Sequence, residues 1–319
     1  MSDSPATRVV IADDHVEMLQ LASSTLRETC DVVASVGDGD QAVESVLRLN
    51  PDVVVLDITM PGLDGFQAAR ELRQRGSQAK VVFLSLHEGD EFVVTAFQTG
   101  AQAFVPKHRM LTDLASAVGH VSAGRVFLPS LSSLSAVADR GGHGVMFYSR
   151  RQAWWDQAAR LVRSALTRGD AVTVLAREDT HTGVAAKLSA LGFDTAQAEA
   201  DRRYVLANAE ETLEQVMVDG QPDARRIATV VGNLEDTRRA LSRPHVRMTI
   251  IGELAPCLGP HQRDEIMGIE RLWNEIAGGH PFLTVCGYSI DRVRDKDGDG
   301  QPWPAMCSEH WAVTQVLED

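Results

Sequence analysis

Five polar side chains that could do phosphoryl chemistry each follow a short apolar segment in the first third of the chain. They are Asp13, Asp14, Asp57, Ser85 and Lys107. If these segments are neighbouring parallel strands, their carboxyl ends meet at one edge of a sheet. Three carboxylates at one edge repel one another unless a cation lies between them, and hard oxygen ligands suit Mg²⁺. The set therefore predicts a magnesium and phosphate site.

The roles within this site follow from the chemistry of each group. A carboxylate can act as a nucleophile and form an aspartyl-phosphate, and Asp57 is the candidate, since Gly62 and Gly65 let the following loop turn close to an incoming group. Lys107 supplies a point charge for the phosphoryl oxygens, and Ser85 supplies a hydroxyl. The sequence therefore predicts phosphorylation of Asp57 with Mg²⁺ as cofactor.

The elements that must position these residues alternate regularly from residue 8 to about 128. Candidate strands cover 8–12, 32–36, 53–57, 81–85 and 103–106, and candidate helices cover 15–29, 39–49, 64–75, 90–99 and 111–123. Continuous β-branched runs are typical of strands buried on both faces of a parallel sheet. Right-handed crossovers then favour a flavodoxin-like α/β sheet of order 2-1-3-4-5, with its crevice between strands 1 and 3.

This constellation resembles the receiver domain of two-component response regulators, and most closely its NarL-type subgroup. The matching residues are the acidic pair Asp13 and Asp14, the phosphoacceptor Asp57, the loop Met60-Pro61-Gly62 with Asp64-Gly65, the switch residues Ser85 and Phe104, and Lys107. The resemblance implies a sensor histidine kinase as partner, a homodimer through the receiver, and the backbone carbonyl of Thr59 as a further Mg²⁺ ligand. It also implies that Thr59 and His87 tune the lifetime of the phosphoryl group.

Two alternative interpretations of Asp57 are disfavoured by the sequence. An aspartate at a strand end is often only a helix cap, but the full set in order argues against that account. Hydrolases with an aspartate nucleophile usually carry a second aspartate two residues later, and Thr59 occupies that position.

Length, composition and charge limit the remaining possibilities. At 319 residues the chain is long enough for two domains. The absence of a signal-peptide pattern and of a long apolar stretch predicts a cytoplasmic location, and four scattered cysteines fit a reducing compartment. Residues 1–139 carry 10 Lys/Arg and 18 Asp/Glu, a balance of −8, and residues 140–319 carry 21 and 26, a balance of −5. Neither part has the basic excess typical of nucleic-acid binding.

A Ser-, Pro- and Gly-containing stretch at 129–142 predicts a linker between a domain at 1–128 and a second at 143–319. In the second part, candidate strands at 144–149, 171–176, 203–206, 246–252 and 282–288 alternate with helical patterns at 151–168, 179–191, 208–218, 222–241 and 261–277. This order is typical of a parallel, RecA-like α/β sheet. The segment after the first strand lacks the glycine-rich phosphate-binding loop and its lysine, which argues against an active ATPase.

Short motifs in the second part resemble the MEDS domain, a sensory module of methanogen and methylotroph regulators. They are His143 with Phe147-Tyr148, Gly252-Glu253, Ile269-Glu270-Arg271-Leu272-Trp273-Asn274, Cys286-Gly287-Tyr288, and Cys307-Ser308-Glu309-His310. The resemblance implies a degenerate RecA-like fold that senses small molecules or offers a partner surface.

Seven polar residues form a candidate site in the second domain, expected at strand ends. They are His143, Tyr148, Glu253, Glu270, Cys286, Tyr288 and His310. The alternative is that the aromatic residues are core and that Cys286 is a small buried hydrophobe.

Two metal patterns in the second part are incomplete. Zinc binding by Cys286, Cys307 and His310 lacks an evident fourth ligand. The acidic segment 295–300 matches half of a calcium loop, but Met306 stands where a bidentate glutamate is needed, so a flexible hairpin is favoured.

The leading hypothesis is therefore a two-component response regulator whose output domain acts through protein or small-ligand contacts, without binding DNA. The chain is not expected to be an enzyme beyond its own phosphoryl transfer and dephosphorylation. A transcription regulator whose second domain binds DNA is the main alternative, and a nucleotide-binding output domain is the third.

Overall fold

The computed structural model describes residues 6–87, 90–130, 142–241, 246–259, 261–293, 306, 309–310 and 312–316. Two compact units, Met1–Pro129 and Ser130–Asp319, make up the chain. Most of the predicted linker, the calcium-like segment 295–300, and Cys307 lie outside the described residues. Within the described residues, no helix is both long and apolar enough to span a bilayer.

The first unit is a parallel sheet with helices on both faces. Its strands are β1 (Thr7–Ala12), β2 (Cys30–Val36), β3 (Val53–Asp57), β4 (Lys80–Ser85), β5 (Ala103–Pro106) and β6 (Val126–Phe127). They pair in the order β2-β1-β3-β4-β5-β6. The predicted flavodoxin-like order of the first five strands is confirmed. Strand β6 was not predicted, because two residues carry no periodic signal.

The five helices of this unit are α1 (Val16–Leu26), α2 (Gly39–Leu49), α3 (Gly65–Gln74), α4 (Asp90–Gln98) and α5 (Met110–Ser122). Helix α3 begins at a capping box in which the Asp64 side chain accepts from the Gln67 backbone and the Gln67 side chain accepts from the Asp64 backbone. All five residues of β3 are buried, as expected for a central strand covered on both faces. The cap and the strand together fix the chain on both sides of Asp57.

The second unit is again a parallel α/β sheet. Its strands are β7 (Gly142–Tyr148), β8 (Ala171–Ala176), β9 (Tyr204–Asn208), β12 (Met248–Gly252), β13 (Phe282–Ser289) and β14 (Ala312–Val316), in the order β14-β7-β13-β12-β8-β9. A short antiparallel hairpin joins β10 (Met217–Val218) to β11 (Gln221–Pro222). The parallel α/β class is confirmed. The hairpin and β14 were not predicted.

The helices of the second unit are α6 (Arg151–Arg168), α7 (Glu178–Ala190), α8 (Ala196–Ala200), α9 (Ala209–Val216), α10 (Ala224–Ala240), α11 (Arg263–Ala277) and α12 (Ile290–Val293). Trp154 of α6 is wholly buried against β13. A Cβ added at Gly287 would lie 2.5 Å from the Trp154 ring, so only glycine lets the helix approach this strand.

Glu235 of α10 is the centre of a buried ion-pair group. Its carboxylate accepts from Arg238 at 2.7 and 2.8 Å and from Arg239 at 2.6 Å, and His280 Nδ1 lies 3.7 Å away. The hydrogen bonds from Arg238 make the largest contribution to the pKa of Glu235, which is lowered to about 2 from the usual 4.5. Burial acts in the opposite direction.

We expect this group to make the stability of the second unit pH-dependent. Because the pKa of Glu235 is lower in the folded than in the unfolded chain, its ionised carboxylate stabilises the fold above pH 4.5, the unfolded value. This stabilisation is lost as pH falls towards 2. Replacing Glu235 with Gln should cost about 1 kcal/mol at neutral pH after allowance for solvent screening, and should flatten the decline as pH falls from 4.5 towards 2. Urea unfolding read by fluorescence measures this, since all five tryptophans lie between residues 154 and 311. An equal decline in both proteins would contradict the prediction.

Candidate functional site

The predicted acidic site of the first unit is assembled at the carboxyl ends of β1 and β3. Lys107 Nζ lies 2.8 Å from Asp13 Oδ2 and 2.9 Å from Asp57 Oδ2. Asp14 belongs to the same group, because its ligand atom and those of Asp13, His15 and Asp57 all lie within 4.8 Å of one another. Asp13 and Asp57 are buried, whereas Asp14 faces solvent. One ammonium group thus bridges two buried carboxylates that are 44 residues apart in sequence.

Burial and charge act against each other at these groups. Burial raises the pKa of Asp57, and the hydrogen bond from Lys107 partly offsets this rise. At Lys107 burial favours the neutral amine, yet the hydrogen bonds to Asp13 and Asp57 raise its pKa overall. The lysine therefore stays charged at neutral pH and holds two carboxylates that would otherwise repel each other.

The loop after β3 runs close beneath Asp57. The Gly65 N–H donates to the Ile58 carbonyl at 2.9 Å, and a Cβ added at Gly65 would lie 2.2 Å from the Asp57 carbonyl oxygen. Gly62 has φ +72°, a left-handed conformation that favours glycine. Thr59 lies on the exposed side of this loop, and its backbone donates a hydrogen bond to the Asp57 carboxylate. Gly65 thus allows the close approach of the loop to the Asp57 backbone, and Gly62 allows the left-handed turn within it.

The remaining predicted residues lie at the ends of β4 and in β5. Ser85 is buried, and its Oγ accepts from the His87 N–H at 2.9 Å. The exposed His87 ring stacks on Phe92, with centroids 4.4 Å apart. Phe104 is wholly buried and pairs with Phe83 of β4 in the sheet register. Sequence reasoning missed His15, whose Nδ1 lies 2.7 Å from Asp14 Oδ1; its adjacency to the acidic pair was the available signal.

A second polar cluster lies inside the second unit, and it is fully buried. Its centre is Glu270 of α11, whose Oε2 lies 3.3 Å from His143 Nε2 and 3.3 Å from His310 Nε2. Cys286 Sγ lies 3.2 Å from His143 Nε2, and Tyr288 Oη donates to Glu270 Oε1. The structure therefore brings together five of the seven residues predicted for this domain.

The burial of this cluster changes the ionisation of its members. Burial lowers the pKa of His143 to about 4 and raises the pKa of Cys286 well above its usual value. Burial opposes ionisation of Glu270, but the neighbouring imidazoles, His310 first and then His143, together with the Tyr288 hydrogen bond lower its pKa to about 2. A buried carboxylate is thus held ionised next to two imidazole rings.

The other two predicted residues, Tyr148 and Glu253, lie at the carboxyl ends of strands but outside this cluster, so the expectation that all seven gather at strand ends is wrong. Tyr148 ends β7, whereas His143 begins that strand and so lies at its opposite end. Glu253 follows β12 and accepts from the Arg177 backbone N–H at 3.3 Å. The buried cluster lies between the sheet and α11, because Cys286 and Tyr288 are interior residues of β13.

Asn274 is a member of this cluster that sequence reasoning quoted only within a motif. Its side-chain Oδ1 lies 2.8 Å from His143 Nδ1, and its Nδ2 donates to the Glu309 carbonyl at 2.5 Å. Asn274 follows Glu270 by four positions on α11, and this spacing places both on one helix face. That spacing was the signal that could have identified it.

Comparison with protein families matches both units. The model of the response regulator receiver domain matches residues 9–119. The model of the MEDS domain, described as the MEthanogen/methylotroph, DcmR Sensory domain, matches residues 142–299. The resemblances inferred from the sequence motifs are thereby confirmed for both parts of the chain.

Three relatives are similar to this chain over roughly a third or more of its length. The chemotaxis protein CheY of Bacillus subtilis is 37% identical over 103 residues, which are 32% of this chain and 86% of CheY. DegU of Brevibacillus brevis is 36% identical over 123 residues, 38% of this chain and 52% of DegU. NarL of Escherichia coli K12 is 30% identical over 131 residues, 40% of this chain and 60% of NarL. The chain thus spans only about half the length of the two transcriptional relatives.

One solved structure is similar in the same region. The receiver domain of the putative response regulator NarL from Mycobacterium tuberculosis is 33% identical, and the match covers 38% of this chain and 100% of that domain, with a TM-score of 0.37.

Proposed function

The chain belongs to the response regulators of two-component signalling, and from this premise we propose that a sensor histidine kinase phosphorylates Asp57. We further propose that phosphorylation switches a MEDS-type output domain that acts through protein or small-ligand contacts, without binding DNA. The observation that supports phosphorylation most directly is the position of Lys107 between Asp13 and Asp57, at 2.8 and 2.9 Å.

The proposed reaction transfers a phosphoryl group from a histidine of the kinase to a carboxylate oxygen of Asp57. The new oxygen–phosphorus bond forms as the nitrogen–phosphorus bond of the donor breaks, and the imidazole leaves with the electron pair. Lys107 lies where it can exchange its contact with Asp57 for one with a phosphoryl oxygen. Apart from this transfer and its reversal by water, we propose no enzymatic activity for the chain.

The donor set at this site fits Mg²⁺. Asp13, Asp14 and Asp57 offer carboxylate oxygens from one edge of the sheet, and two of them are buried with a single ammonium group as counter-ion. The Thr59 backbone carbonyl is the further ligand that we propose. When bound, Mg²⁺ supplies positive charge that offsets the negative charge of the phosphoryl oxygens.

The switch that we propose begins at Ser85. Its Oγ accepts from the His87 N–H, so its own hydroxyl proton is available to donate to a phosphoryl oxygen on Asp57. A shift of Ser85 towards the phosphoryl group would carry residues 86 and 87 with it and alter the packing of Phe104 on the next strand. Thr59 and His87 flank this position, and we propose that they set how long the phosphoryl group survives.

The experiment that tests phosphorylation uses the full-length chain with acetyl phosphate and Mg²⁺. We expect intact-mass analysis to show a single added phosphoryl group that is absent when a chelator removes Mg²⁺. The proposal would be contradicted if the chain remains unmodified under these conditions, or if the chelator does not reduce the modification.

Two partners are proposed for the first unit, a sensor histidine kinase and a second copy of the chain. Leu111, at the start of α5, is 66% exposed, and a large apolar side chain there supports a contact between receivers. Beryllofluoride, which mimics the aspartyl-phosphate, should increase the dimer fraction measured by analytical ultracentrifugation. The same distribution with and without beryllofluoride would contradict phosphorylation-controlled dimerisation.

Several of the paired arginines of the second unit are engaged in contacts within the protein. Arg238 and Arg239 bind Glu235, Arg151 binds Asp179 at 2.7 Å, and Arg226 Nη1 donates to the Gln215 carbonyl at 3.1 Å. The net charge of residues 140–319, −5, also opposes counterion release on DNA. These contacts support an output that does not depend on nucleic acid.

We expect the full-length chain, with or without beryllofluoride, to show no salt-dependent binding to duplex DNA. Fluorescence anisotropy of a labelled random-sequence duplex at low and high salt measures this, because contacts with several phosphates would weaken steeply with salt. Salt-sensitive binding that appears only with beryllofluoride would instead support the transcription-regulator alternative. Calorimetry with ATP tests the nucleotide alternative, for which the segment after β7 offers no phosphate-binding loop.

A further inference from the structure

The buried cluster of the second unit contains one donor atom from each of four side chains that metals bind readily. These atoms are His143 Nε2, Glu270 Oε2, Cys286 Sγ and His310 Nε2. They lie within 4.8 Å of one another and all four residues are buried. We propose that they bind one divalent first-row transition-metal ion, preferentially Zn²⁺, in a closed four-coordinate site.

The spacing of the donors matches the size of such a site. With metal–ligand bonds of about 2.1 Å, neighbouring ligands of a tetrahedral ion lie about 3.4 Å apart. Glu270 Oε2 lies 3.3 Å from each histidine Nε2, and Cys286 Sγ lies 3.2 Å from His143 Nε2 and 3.9 Å from Glu270 Oε2. The two distances that involve the sulfur, 3.2 and 3.9 Å, lie on either side of the value expected with a zinc–sulfur bond of about 2.3 Å.

The outward hydrogen bonds of the two histidines fix their tautomers. His310 Nδ1 lies 2.6 Å from the Met306 carbonyl, which can only accept, so Nδ1 carries the proton. Asn274 Nδ2 donates to the Glu309 carbonyl, which leaves Asn274 Oδ1 to accept from His143 Nδ1. In the neutral form of each ring, Nε2 therefore carries a lone pair that faces Glu270. Histidine ligands of metals make this kind of outward hydrogen bond.

This arrangement leaves an unsatisfied group at the centre. His310 Nε2 belongs to a fully buried side chain and makes no hydrogen bond among the described residues, although Glu270 Oε2 lies 3.3 Å away. While both rings are neutral, their two lone pairs face the carboxylate oxygen and repel it. A cation at this point converts three repelling donors into ligands, and the Cys286 thiol completes the set by releasing its proton to solvent.

Other contacts position the carboxylate and define the type of site. Tyr288 Oη donates to Glu270 Oε1, which leaves Oε2 to face the histidines. Four protein ligands leave no open coordination position, which is typical of a structural or sensing site and not of a catalytic one. The thiolate and imidazoles exclude Mg²⁺ and Ca²⁺ as the preferred ion. A cavity of about 150 Å³ lined by His143 and Asn274 borders the site on one side.

The test uses the full-length chain, stripped of metal and kept in excess Mg²⁺ so that the acidic site of the first unit is occupied. We expect it to bind one equivalent of Co²⁺, with the visible bands of a four-coordinate ion and a thiolate-to-cobalt charge-transfer band, and to release Co²⁺ when Zn²⁺ is added. A chain that takes up neither ion stoichiometrically overturns the proposal.

Variants assign the ligands. Cys286→Ser should lose the charge-transfer band and His310→Gln the stoichiometric binding, whereas Asn274→Ala should weaken affinity about 10–100-fold through the lost support of His143. Cys257→Ser is the matched control, because this cysteine of the same unit contacts the Glu253 carbonyl, outside the cluster. A charge-transfer band unchanged in Cys286→Ser but lost in Cys257→Ser would overturn the assignment. Asp57→Asn should bind cobalt normally, since the site does not depend on phosphorylation.

Discussion

Replacing Asp57 with asparagine is expected to abolish Mg²⁺-dependent phosphorylation of the full-length chain. The amide keeps the size of the side chain but lacks the anionic oxygen that attacks phosphorus. The two carboxylates that remain, Asp13 and Asp14, are poor substitutes, because Lys107 already pairs with Asp13 and Asp14 faces solvent. Intact-mass analysis after incubation with acetyl phosphate should show the loss of the added phosphoryl group.

Asp31→Asn is the control for this experiment, since Asp31 is an exposed aspartate of β2. It should be modified to the same extent as the wild-type chain. If the Asp57→Asn chain is modified as fully as the control, a different residue accepts the phosphoryl group and the signalling proposal fails.

The acidic site could be predicted from the sequence because strand order alone determines it. Asp13 follows β1 and Asp57 ends β3. These strands are neighbours in any flavodoxin-like sheet, and Lys107 follows β5 at the same edge. The sequence could not predict how closely the loop after β3 approaches Asp57. The 2.2 Å separation between a Cβ added at Gly65 and the Asp57 carbonyl oxygen depends on the path of the loop between the two residues.

The buried cluster was predicted in its members but not in its position. The rule that ligands gather at the carboxyl ends of strands applies to Tyr148 and Glu253, which end or follow their strands. It fails for His143, which begins β7, and for Cys286, which lies inside β13. These side chains meet because His143 pairs with Thr284 in the register, two residues before Cys286. Register is a tertiary property that periodicity does not reveal.

The position of His310 was also beyond sequence reasoning. It lies two residues before β14, a strand that was not predicted, and β14 pairs with β7. This pairing brings the end of the chain beside His143, so that the two imidazole centroids lie 4.2 Å apart. The spacing of Cys307 and His310 favoured a local ligand pair, whereas His310 Nε2 lies 3.3 Å from Glu270 Oε2 and its ring lies beside that of His143.

The second large effect is expected from Gly65→Ala, which should lower the rate of phosphorylation of Asp57 about 100-fold. In other active sites, misplacing a reacting group by about 1 Å has an effect of this size. The added methyl group would lie 2.2 Å from the Asp57 carbonyl oxygen and 3.0 Å from the Ile58 Cα. Both are backbone atoms, so the strain cannot be relieved by a side-chain rotation. The loop must move, and it moves the carboxylate with it.

The rate of phosphorylation by acetyl phosphate, measured at saturating Mg²⁺, separates this effect from loss of the fold. Gly119→Ala is the matched control, because nothing lies within 4 Å of a Cβ at this exposed position of α5, and alanine there should stabilise the helix by up to about 1 kcal/mol. Circular dichroism should show native helix content in both variants. A Gly65→Ala chain phosphorylated as fast as Gly119→Ala would show that the loop yields without moving Asp57, and the close approach would then have no role in positioning the nucleophile.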